Sequence, residues 1–344
     1  MTEKSAYAAA GVDIEAADAT KRRMRSIIRS TFGPEVLADI GGFGGLFAPA
    51  WASYREPVLV SSVDGVGTKL KVAFMTGIHH TVGADLVYHC ANDILVQGAR
   101  PLFFLDYIGA GGHAPEVVLA VVSGVAEGCR RVGCALIGGE TAIMPDFYRP
   151  GEYDLAGTIV GIVERARIVD GSAIRPGDAL IGLASDGLHT NGYSLARRLL
   201  FEVADMTPET RVEAWGATVG EELLKPHRCY VGPVFHLLDR APVRGMAHIT
   251  GGGLVDNLPR VLPSGLAARI EKGTWPVPPV FTTLKAMGDV SEAEMYRVFN
   301  MGVGFVVAVP EDRAGEALDL LRAQGERAYR IGTVVEGTGG VEVV

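Results

Sequence analysis

The sequence predicts two domains of mixed strands and helices, so the expected fold class is α/β (α+β). The chain has 344 residues, and because domains commonly contain about 100–150 residues, this length fits two of them. Strand-like and helix-like segments alternate in both halves, which is typical of sheets covered by helices. A polar, turn-rich segment, Asp170–Asp178, separates the halves. We therefore expect an N-terminal domain over residues 1–170 and a C-terminal domain over residues 171–344.

Apolar spacing and turn residues define the elements of the first half. A helix is predicted over 13–30, where Ile14, Met24 and Ile27 mark one apolar side and Gly33 and Pro34 follow as a stop signal. A glycine-rich loop comes next and leads to an apolar strand over 57–63. The remaining elements are predicted as helices over 68–77, 82–98 and 115–132 and as strands over 101–105, 134–138 and 153–164.

The second half repeats this mixture of apolar runs and helical periodicity. Strands are predicted over 179–184, over a segment ending at Ile249, and over 266–271, 303–309 and 328–335. Helices are predicted over 192–204, 219–238, 278–287, 291–299 and 311–323. No repeat with a period of about 20–50 residues is present, which argues against a solenoid.

Composition excludes several classes of protein. The chain carries 32 Lys and Arg against 40 Asp and Glu, a net charge of −8, so it lacks the basic excess of a general nucleic-acid binder. Its four cysteines form no C-x-x-C pair, which favours buried thiols over a disulfide or zinc framework. No apolar run approaches the roughly 18 residues of a membrane span, and the start lacks a secretory pattern. We expect a soluble cytoplasmic protein without nucleic-acid or membrane partners.

The densest chemical signal is SSVDGVGTK, residues 61–69, at the end of a predicted strand. It places a carboxylate (Asp64), two glycines, a hydroxyl (Thr68) and an ammonium (Lys69) together before a helix, which suits a polyphosphate. It is not a Walker A loop, because there the lysine precedes the hydroxyl residue. Neither this segment nor the loop at 41–45 satisfies G-x-G-x-x-G. The alternative is an ordinary strand-to-helix turn capped by Asp64.

Polar residues also interrupt the apolar helix predicted after this turn. Asp85, His89 and Asn92 or Asp93 fall on adjacent turns of one side. Because a buried carboxylate is costly unless something binds it, these positions indicate either a ligand or a face open to solvent. Oxygen ligands from Asp93 and Asp64 would suit Mg²⁺, which takes one or two protein carboxylates together with phosphate oxygens.

Three further motifs follow predicted strands. Glu140 ends LIGGE, His189 lies in the polar loop 184–194, and Gly251–Gly253 close HITGGG before a helix-like segment. Ligands of open sheets gather beyond the carboxyl ends of strands, and a glycine-rich helix start can hold phosphate. A plain turn, a structural histidine and a flexible hinge are the respective alternatives. The loop at 184–194 has no G-x-S-x-G elbow, so a hydrolase triad is unsupported.

Together these motifs resemble the phosphoribosylformylglycinamidine cyclo-ligase (aminoimidazole ribonucleotide synthetase) family. The resemblance extends from about Gly11 to the end of the chain, and eight motifs occur in the family's order. They are AGVDIEA near the start, GGFGGLF at 41–47, DGVGTK at 64–69, ANDILVQGARPLFFLDY at 91–107, LIGGETAIMP at 136–145, SDGLHTNGYSLARRLL at 185–200, HITGGGLVDNLPRVLP at 248–263 and EMYRVFNMGVGF at 294–305.

The resemblance implies an ATP-dependent ring closure in purine biosynthesis. Formylglycinamidine ribonucleotide would become 5-aminoimidazole ribonucleotide, with release of ADP and phosphate, through phosphorylation of the formyl oxygen. The family fold pairs an N-terminal domain, whose strands join a barrel across a homodimer, with a C-terminal α/β domain that completes the substrate cleft. The wider group includes thiamine-monophosphate kinase and selenophosphate synthetase, which also use ATP. A small-molecule kinase and a silent nucleotide-binding subunit therefore remain as alternatives.

The same resemblance assigns roles to individual residues. Asp64 and Asp93 are expected to hold Mg²⁺, and Lys69 to contact the transferring phosphate as a catalytic residue. His189 is the candidate for proton transfer or for orienting the formyl oxygen. Phosphate contacts are expected from Gly65, Gly67 and Thr68. The density of glycines alone, apart from the resemblance, suggests a lid over ATP at Gly41, Gly42, Gly44 and Gly45. Substrate contacts are expected from Gly139, Glu140, Asp186, His189, Asn191, Gly251, Gly252 and Gly253. One departure is Arg23-Met24-Arg25 on the first helix, where some members of the family carry a lysine.

Overall fold

Residues 14–112 and 114–344 are described by the computed structural model, and the chain divides into two units. The first contains the described residues through Ala91 together with Pro101–Ile162. The second contains Asn92–Arg100 and Val163–Val344. The short segment Asn92–Arg100 and residues 163–170 therefore fall in the second unit.

The first unit is a four-stranded sheet with helices. Its strands are β1 (Pro57–Gly65), β2 (Arg100–Ala110), β3 (Ala135–Ile143) and β4 (Tyr153–Glu164). Parallel pairing joins β2 to β3, and the strand order is β1-β4-β2-β3. Its helices are α1 (Ile14–Arg29), α2 (Leu70–Thr76), α3 (His80–Leu95) and α4 (Pro115–Val132).

Helix α4 shows why its bounds could be predicted. Pro115 stands at its first turn, where no backbone N–H is needed, and Gly133 caps it with a φ of 76° in the left-handed region. One side of the helix is buried, including Val121 and Val125. The prediction of a helix over 115–132 is confirmed.

Two glycines bring the backbones of α3 and α4 into contact. A Cβ atom on Gly83 would lie 2.1 Å from the carbonyl oxygen of Val121, and one on Gly124 would lie 1.8 Å from that of His80. Both distances are far below van der Waals contact. Glycine at both positions therefore sets the separation of the two helices.

One edge of the first unit's sheet carries exposed apolar side chains. Strand β1 alternates exposed and half-buried positions, and Leu59 and Val63 are 55% and 67% exposed. Only β4 pairs with it in the strand order of this sheet. An exposed edge strand with apolar side chains is a ready surface for pairing with another chain.

The second unit contains the strands β5 (Ala179–Ala184), β6 (Arg211–Val212), β7 (Ala217–Thr218), β8 (Gly245–His248), β9 (Leu266–Ile270), β10 (Val303–Val309), β11 (Ala328–Glu336) and β12 (Val341–Val343). Six of them form one sheet with the order β12-β9-β11-β5-β10-β8, and β6 and β7 pair with each other. Its helices are α5 (Tyr193–Arg197), α6 (Val219–Leu223), α7 (Val231–Leu238), α8 (Gly253–Asn257), α9 (Pro279–Gly288), α10 (Glu292–Val298) and α11 (Ala314–Ala323).

Strands β5 and β10 form the centre of this sheet. They pair antiparallel, and every residue of both strands is buried. Burial on both faces explains why both read as continuous apolar runs rather than as alternating ones. The predicted bounds 179–184 and 303–309 are confirmed, as is the mixed α/β (α+β) fold class.

The single helix predicted over 219–238 is wrong. The chain forms α6 and α7 instead, with residues 224–230 between them. Pro226 lies in this gap, where it would stand in the middle of the predicted helix. Because proline lacks a backbone N–H and clashes with the preceding turn, it strongly disfavours the interior of a helix. Among the helices within the described ranges, none is long and apolar enough to cross a membrane.

Candidate active site

Asp64 lies near the end of β1 with its carboxylate held from two sides. Its Oδ1 accepts the N–H of Gly65 at 2.7 Å, and its Oδ2 lies 2.8 Å from Nε2 of His89. His89 is buried, whereas the Asp64 side chain remains 41% exposed. A fixed, accessible carboxylate is a hard oxygen donor of the kind that Mg²⁺ takes, and the imidazole orients it from behind. Asp64 therefore fits the expected magnesium ligand.

The backbone after Asp64 turns through exposed residues. Gly67 and Thr68 are exposed at the start of the short 3₁₀ turn Gly67–Lys69. Gly67 has a φ of 65°, and a Cβ on it would touch nothing, so conformation and not space requires glycine here. At Gly65 a Cβ would lie 3.0 Å from the carbonyl oxygen of Leu155. This turn offers small, exposed positions where a phosphate group can approach the backbone.

Lys69 lies inside the first unit and is paired with a carboxylate. Its Nζ is 2.7 Å from Oδ2 of Asp85, and both side chains are fully buried. Burial lowers the pKa of Lys69, and the charge of Asp85 partly offsets that effect. The structure thus gives the ammonium a protein partner, while its expected contact with phosphate stays a prediction.

The polar side of α3 does not face solvent. Asp85, His89 and Asn92 are all buried, so the alternative of an open helix face is wrong. Each of the three has a partner: Asp85 binds Lys69, and His89 binds Asp64. Asn92, in the second unit, donates from Nδ2 to the carbonyl oxygen of Arg228 at 2.8 Å.

Asp106 was not among the predicted site residues, although it interrupts an apolar strand. It pairs with Gly139 across β2 and β3, and a Cβ on Gly139 would lie 2.1 Å from Oδ1 of Asp106. Burial raises the pKa of Asp106 to about 7. The neighbouring Glu140 is exposed. Glycine at 139 therefore makes room for a carboxyl group that titrates near neutrality.

The glycine loop 41–45 is exposed along its length and anchored at its ends. Arg25 donates from Nη2 to the carbonyl oxygen of Ile40 at 3.2 Å. A Cβ on Gly45 would lie 2.8 Å from the carbonyl oxygen of Ile137. Between these points Phe43 is fully exposed, and the role of the loop as a lid over ATP stays a prediction. Its glycines are Gly41, Gly42, Gly44 and Gly45.

His189 is enclosed within the second unit. It is 1% exposed, and its φ of 61° is unusual for a residue other than glycine. Its ring stacks on that of His227 at a centroid distance of 4.1 Å, and its Nε2 accepts the backbone N–H of Arg228 at 3.4 Å. Backbone strain of this kind persists only where the surroundings enforce it, and such strain clusters at functional sites.

A buried asparagine fixes the start of the loop that carries His189. Asn300 donates from Nδ2 to the carbonyl oxygen of Gly187 at 2.8 Å. Its Oδ1 accepts the hydroxyl of Ser185 at 2.9 Å and the N–H of Gly302 at 2.8 Å. Next to it, Asp186 pairs with Arg228 at 2.9 Å and also with Arg327.

Asp93, the second expected magnesium ligand, contacts the first of two buried histidines that lie in series. Its Oδ1 lies 2.8 Å from Nδ1 of His248, whose Nε2 lies 2.9 Å from Nε2 of His227. The Asp93 side chain is 28% exposed, whereas both histidines are buried. As at Asp64, a partly open carboxylate is supported by a buried imidazole, so Asp93 also fits a hard cation.

The triple glycine lies beside Asn191. A Cβ on Gly251 would lie 3.3 Å from Oδ1 of Asn191. Asn257 donates to the carbonyl oxygens of Gly251 at 3.1 Å and Gly253 at 2.8 Å. Gly252 and Gly253 have φ values of 98° and 58°, so their backbone conformation favours glycine. The structure thus brings two of the predicted substrate groups, Asn191 and Gly251–Gly253, together.

Comparison with known proteins assigns the family. The family described as "AIR synthase related protein, N-terminal domain" matches residues 51–163, and its C-terminal counterpart matches residues 175–344. Phosphoribosylformylglycinamidine cyclo-ligase of Acetivibrio thermocellus is 53% identical, covering 98% of this chain and 99% of that protein. The enzyme of the same name from Geobacillus thermodenitrificans is 54% identical, covering 97% of this chain and 96% of that protein. The chain belongs to the phosphoribosylformylglycinamidine cyclo-ligase family.

Solved structures share the fold of this cyclo-ligase family member at low identity. Thiamine-monophosphate kinase from Stenotrophomonas maltophilia has a TM-score of 0.67 at 20% identity, covering 94% of each chain. The hydrogenase maturation protein HypE in complex with ATP has a TM-score of 0.61 at 21% identity, covering 92% of this chain and 86% of that one. These likenesses concern the fold.

Several residues of the candidate site were not assigned roles from the sequence. His89 and His248 each hold an expected magnesium ligand, and the buried neighbours of His248 include His227. A histidine within an apolar helix or at the end of a strand is a usable signal for the first two. His227 gives no such signal, because it follows Pro226 in an irregular segment whose burial only the fold reveals.

Proposed function

We infer that the protein catalyses ATP-dependent closure of formylglycinamidine ribonucleotide to 5-aminoimidazole ribonucleotide, with release of ADP and phosphate, in de novo purine synthesis. The observation that carries this conclusion is 53% identity over nearly the full length of both chains to a protein of that name. ATP and a phosphorylated ribose substrate are metabolites of the cytoplasm, so we propose that the reaction takes place there.

We propose that ATP first phosphorylates the formyl oxygen of the substrate. An amide oxygen is a poor leaving group, whereas phosphate is a good one. The amidine nitrogen then attacks the activated formyl carbon, the C–N bond forms, and the C–O bond to phosphate breaks. Ring closure joins two groups of one molecule, so holding them in near-attack geometry supplies much of the acceleration. Phosphoryl transfer depends mainly on positioning and on charge neutralisation.

Asp64 in the first unit and Asp93 in the second are each proposed as ligands of Mg²⁺. Support comes from their partly exposed carboxylates, each held by a buried histidine. Mg²⁺ bound at such a carboxylate would neutralise charge on the phosphates of ATP. The exposed Gly67 and Thr68 after Asp64, with Gly65, are proposed to approach those phosphates. Replacing Asp64 by Asn removes charge from a ligand with little change in shape.

For Lys69 the buried ion pair with Asp85 supports a role in fixing the DGVGTK turn from beneath. A lysine held this way places Gly67 and Thr68 without touching the phosphate itself. A direct contact would require the ammonium to leave a carboxylate 2.7 Å away. The two roles can be separated by experiment. If Lys69 only supports the turn, replacing it together with Asp85 should preserve ATP binding, whereas loss of a direct phosphate contact should weaken it.

We propose that the second unit binds the ribonucleotide through Asn191 and Gly251–Gly253. Asp186 is proposed to order the loop that carries Asn191 through its arginine partners. Gly139 and Glu140 remain proposed contacts from the first unit. His189 remains the candidate for proton transfer or for orienting the formyl oxygen. General acid–base groups commonly contribute about 10²–10⁴-fold to the rate, so His189→Ala that lowers kcat less than roughly threefold would exclude that role.

A homodimer is proposed from the exposed edge of the first unit. Leu59 and Val63 on β1 are apolar and largely exposed, and monomeric proteins usually protect such edges. Sedimentation of the purified protein tests this proposal, and Val63→Lys is expected to weaken the dimer. A wild-type protein that stays monomeric at micromolar concentrations would contradict it.

The activity is tested by incubating the purified protein with Mg-ATP and formylglycinamidine ribonucleotide while ADP and aminoimidazole ribonucleotide are measured together. Equal amounts of both products are expected. ADP without the aminoimidazole would indicate a small-molecule kinase or uncoupled hydrolysis. Neither product, from folded protein that binds ATP, would indicate a silent nucleotide-binding subunit.

A further inference from the structure

We propose that His248 is a positioning residue that orients the carboxylate of Asp93 toward Mg²⁺, and that a row of polar groups behind it fixes its tautomer. The inference rests on the proposed function, because it takes Asp93 as a metal ligand. It concerns residues of the second unit alone.

The contact between His248 and Asp93 has the geometry of a strong hydrogen bond. Nδ1 of His248 lies 2.8 Å from Oδ1 of Asp93, and the histidine side chain is only 3% exposed. The carboxylate itself is 28% exposed. One oxygen is therefore held by the protein, while the group as a whole remains open to a ligand.

Neutral side chains fit only one arrangement of protons along this row. A carboxylate accepts, so Nδ1 of His248 carries its proton and its Nε2 must accept. His227 Nε2, 2.9 Å from it, is then the donor, which leaves Nδ1 of His227 as an acceptor. The hydroxyl of Thr190, 3.4 Å from that Nδ1, donates to it, and Thr190 in turn accepts from Asn191 Nδ2 at 3.5 Å. Every donor in the row points toward Asp93.

Strand pairing and buried hydrogen bonds hold both ends of the row in place within the second unit. His248 is the last residue of β8 and pairs with Phe305 of β10, so its backbone belongs to the sheet. Asn92 binds the carbonyl oxygen of Arg228 and accepts the N–H of Tyr230 at 3.1 Å. It thereby holds the segment that follows His227. Asn92, the residue before Asp93 in α3, thus fixes the segment that follows His227, at the other end of the row from Asp93.

This arrangement predicts a graded effect on metal affinity. Partners that orient a ligand typically contribute about 10–100-fold to metal binding. His248→Leu removes the hydrogen bond and is expected to weaken the site by that factor. His248→Asn places an amide N–H near the position of Nδ1 and is expected to restore most of the affinity. His248→Gln extends toward His227 instead and is expected to behave like the leucine variant.

The test titrates Mn²⁺, without nucleotide or substrate, into the full-length protein and measures free Mn²⁺ by electron paramagnetic resonance. Asp93→Asn identifies the site, and His236→Asn, on α7 and outside this row, is the matched control. Thermal unfolding establishes that each variant folds. In turnover, His248→Leu is expected to raise the Mg²⁺ concentration for half-maximal rate while kcat at saturating Mg²⁺ stays close to that of the wild type.

The outcomes separate the inference from the function on which it rests. A Mn²⁺ site that Asp93→Asn removes and His248→Leu leaves unchanged would overturn the role of His248. Equal affinities for the Asn and Gln variants of His248 would overturn it as well, and that comparison remains if the leucine variant does not fold. No Mn²⁺ site sensitive to Asp93 in the wild type, together with an unchanged Mg²⁺ dependence of turnover in Asp93→Asn, would instead overturn Asp93 as a ligand.

Discussion

The buried pair of Lys69 and Asp85 allows a quantitative prediction about the first unit. Asp85→Asn removes one charge and leaves an ammonium fully buried beside a neutral amide. Breaking such a pair by removing one partner costs about 3–5 kcal/mol, because the remaining charge is buried and has lost the counter-charge that compensated it. A domain of about 150 residues loses roughly 2–4 °C of Tm for each kcal/mol. We therefore expect Tm to fall by about 6–20 °C.

A matched control lies two residues along the chain. Lys71 and Glu152 are also 2.7 Å apart, but their side chains are 41% and 28% exposed. Exposed pairs contribute at most about 1 kcal/mol, so Glu152→Gln is expected to change Tm by a few degrees at most. The comparison holds the distance constant and varies only burial.

Thermal unfolding followed by circular dichroism measures both variants. The double variant Lys69→Met/Asp85→Leu replaces the pair by apolar groups and is expected to recover most of the lost stability. If Asp85→Asn loses no more than Glu152→Gln, the reasoning from burial is refuted. ATP affinity of the double variant near that of the wild type would support the role of Lys69 beneath the turn, and a large loss would favour a direct phosphate contact.

Three further predictions concern single residues. Asp64→Asn is expected to abolish turnover with Mg-ATP at unchanged Tm; unchanged turnover would remove Asp64 from the metal site. Burial raises the pKa of Asp106 from 3.8 to about 7, so the folded state binds its proton more tightly, and the free energy of unfolding should fall as pH rises from about 4 to 7. The fall is at most about 4 kcal/mol, and because Asp106 is only half-buried a smaller fall is expected. Urea unfolding across this pH range should show the fall in the wild type and not in Asp106→Asn. Asn300→Ala leaves the buried partners Ser185 and Gly187 without their hydrogen bonds and is expected to cost about 2–4 kcal/mol in the same assay; a loss below 1 kcal/mol would contradict it.

The sequence predicts those elements whose physical cause is local. Strand β5 is a short apolar run between turn residues, and α4 is bounded by Pro115 and Gly133, so their limits can be read directly. The helix predicted over 219–238 failed because apolar spacing was given more weight than Pro226. Strand β12 was missed, because three residues carry too little periodicity to be recognised.

Site residues follow the same division. Asp64, Asp93 and Asn191 stand in motifs whose residue types indicate their chemistry. The partner of Lys69 is 16 residues away on a helix, and only the packing of that helix shows that the ammonium is buried. His227 likewise joins Asp93 through contacts between segments far apart in sequence.

The backbone contact between α3 and α4 limits how this enzyme can change during evolution. Gly83 and Gly124 touch carbonyl groups of the opposite helix, so any larger residue at either position must push the helices apart. Asp85 and His89 lie on α3 and hold Lys69 and Asp64. Displacement of the groups at a site by about 1 Å can cost about 10²-fold in rate. A single substitution at either glycine therefore produces a backbone clash and not a small adjustment of the helix spacing. Variants with altered nucleotide or substrate preference are therefore expected to carry substitutions in the surrounding loops, while glycine is retained at positions 83 and 124.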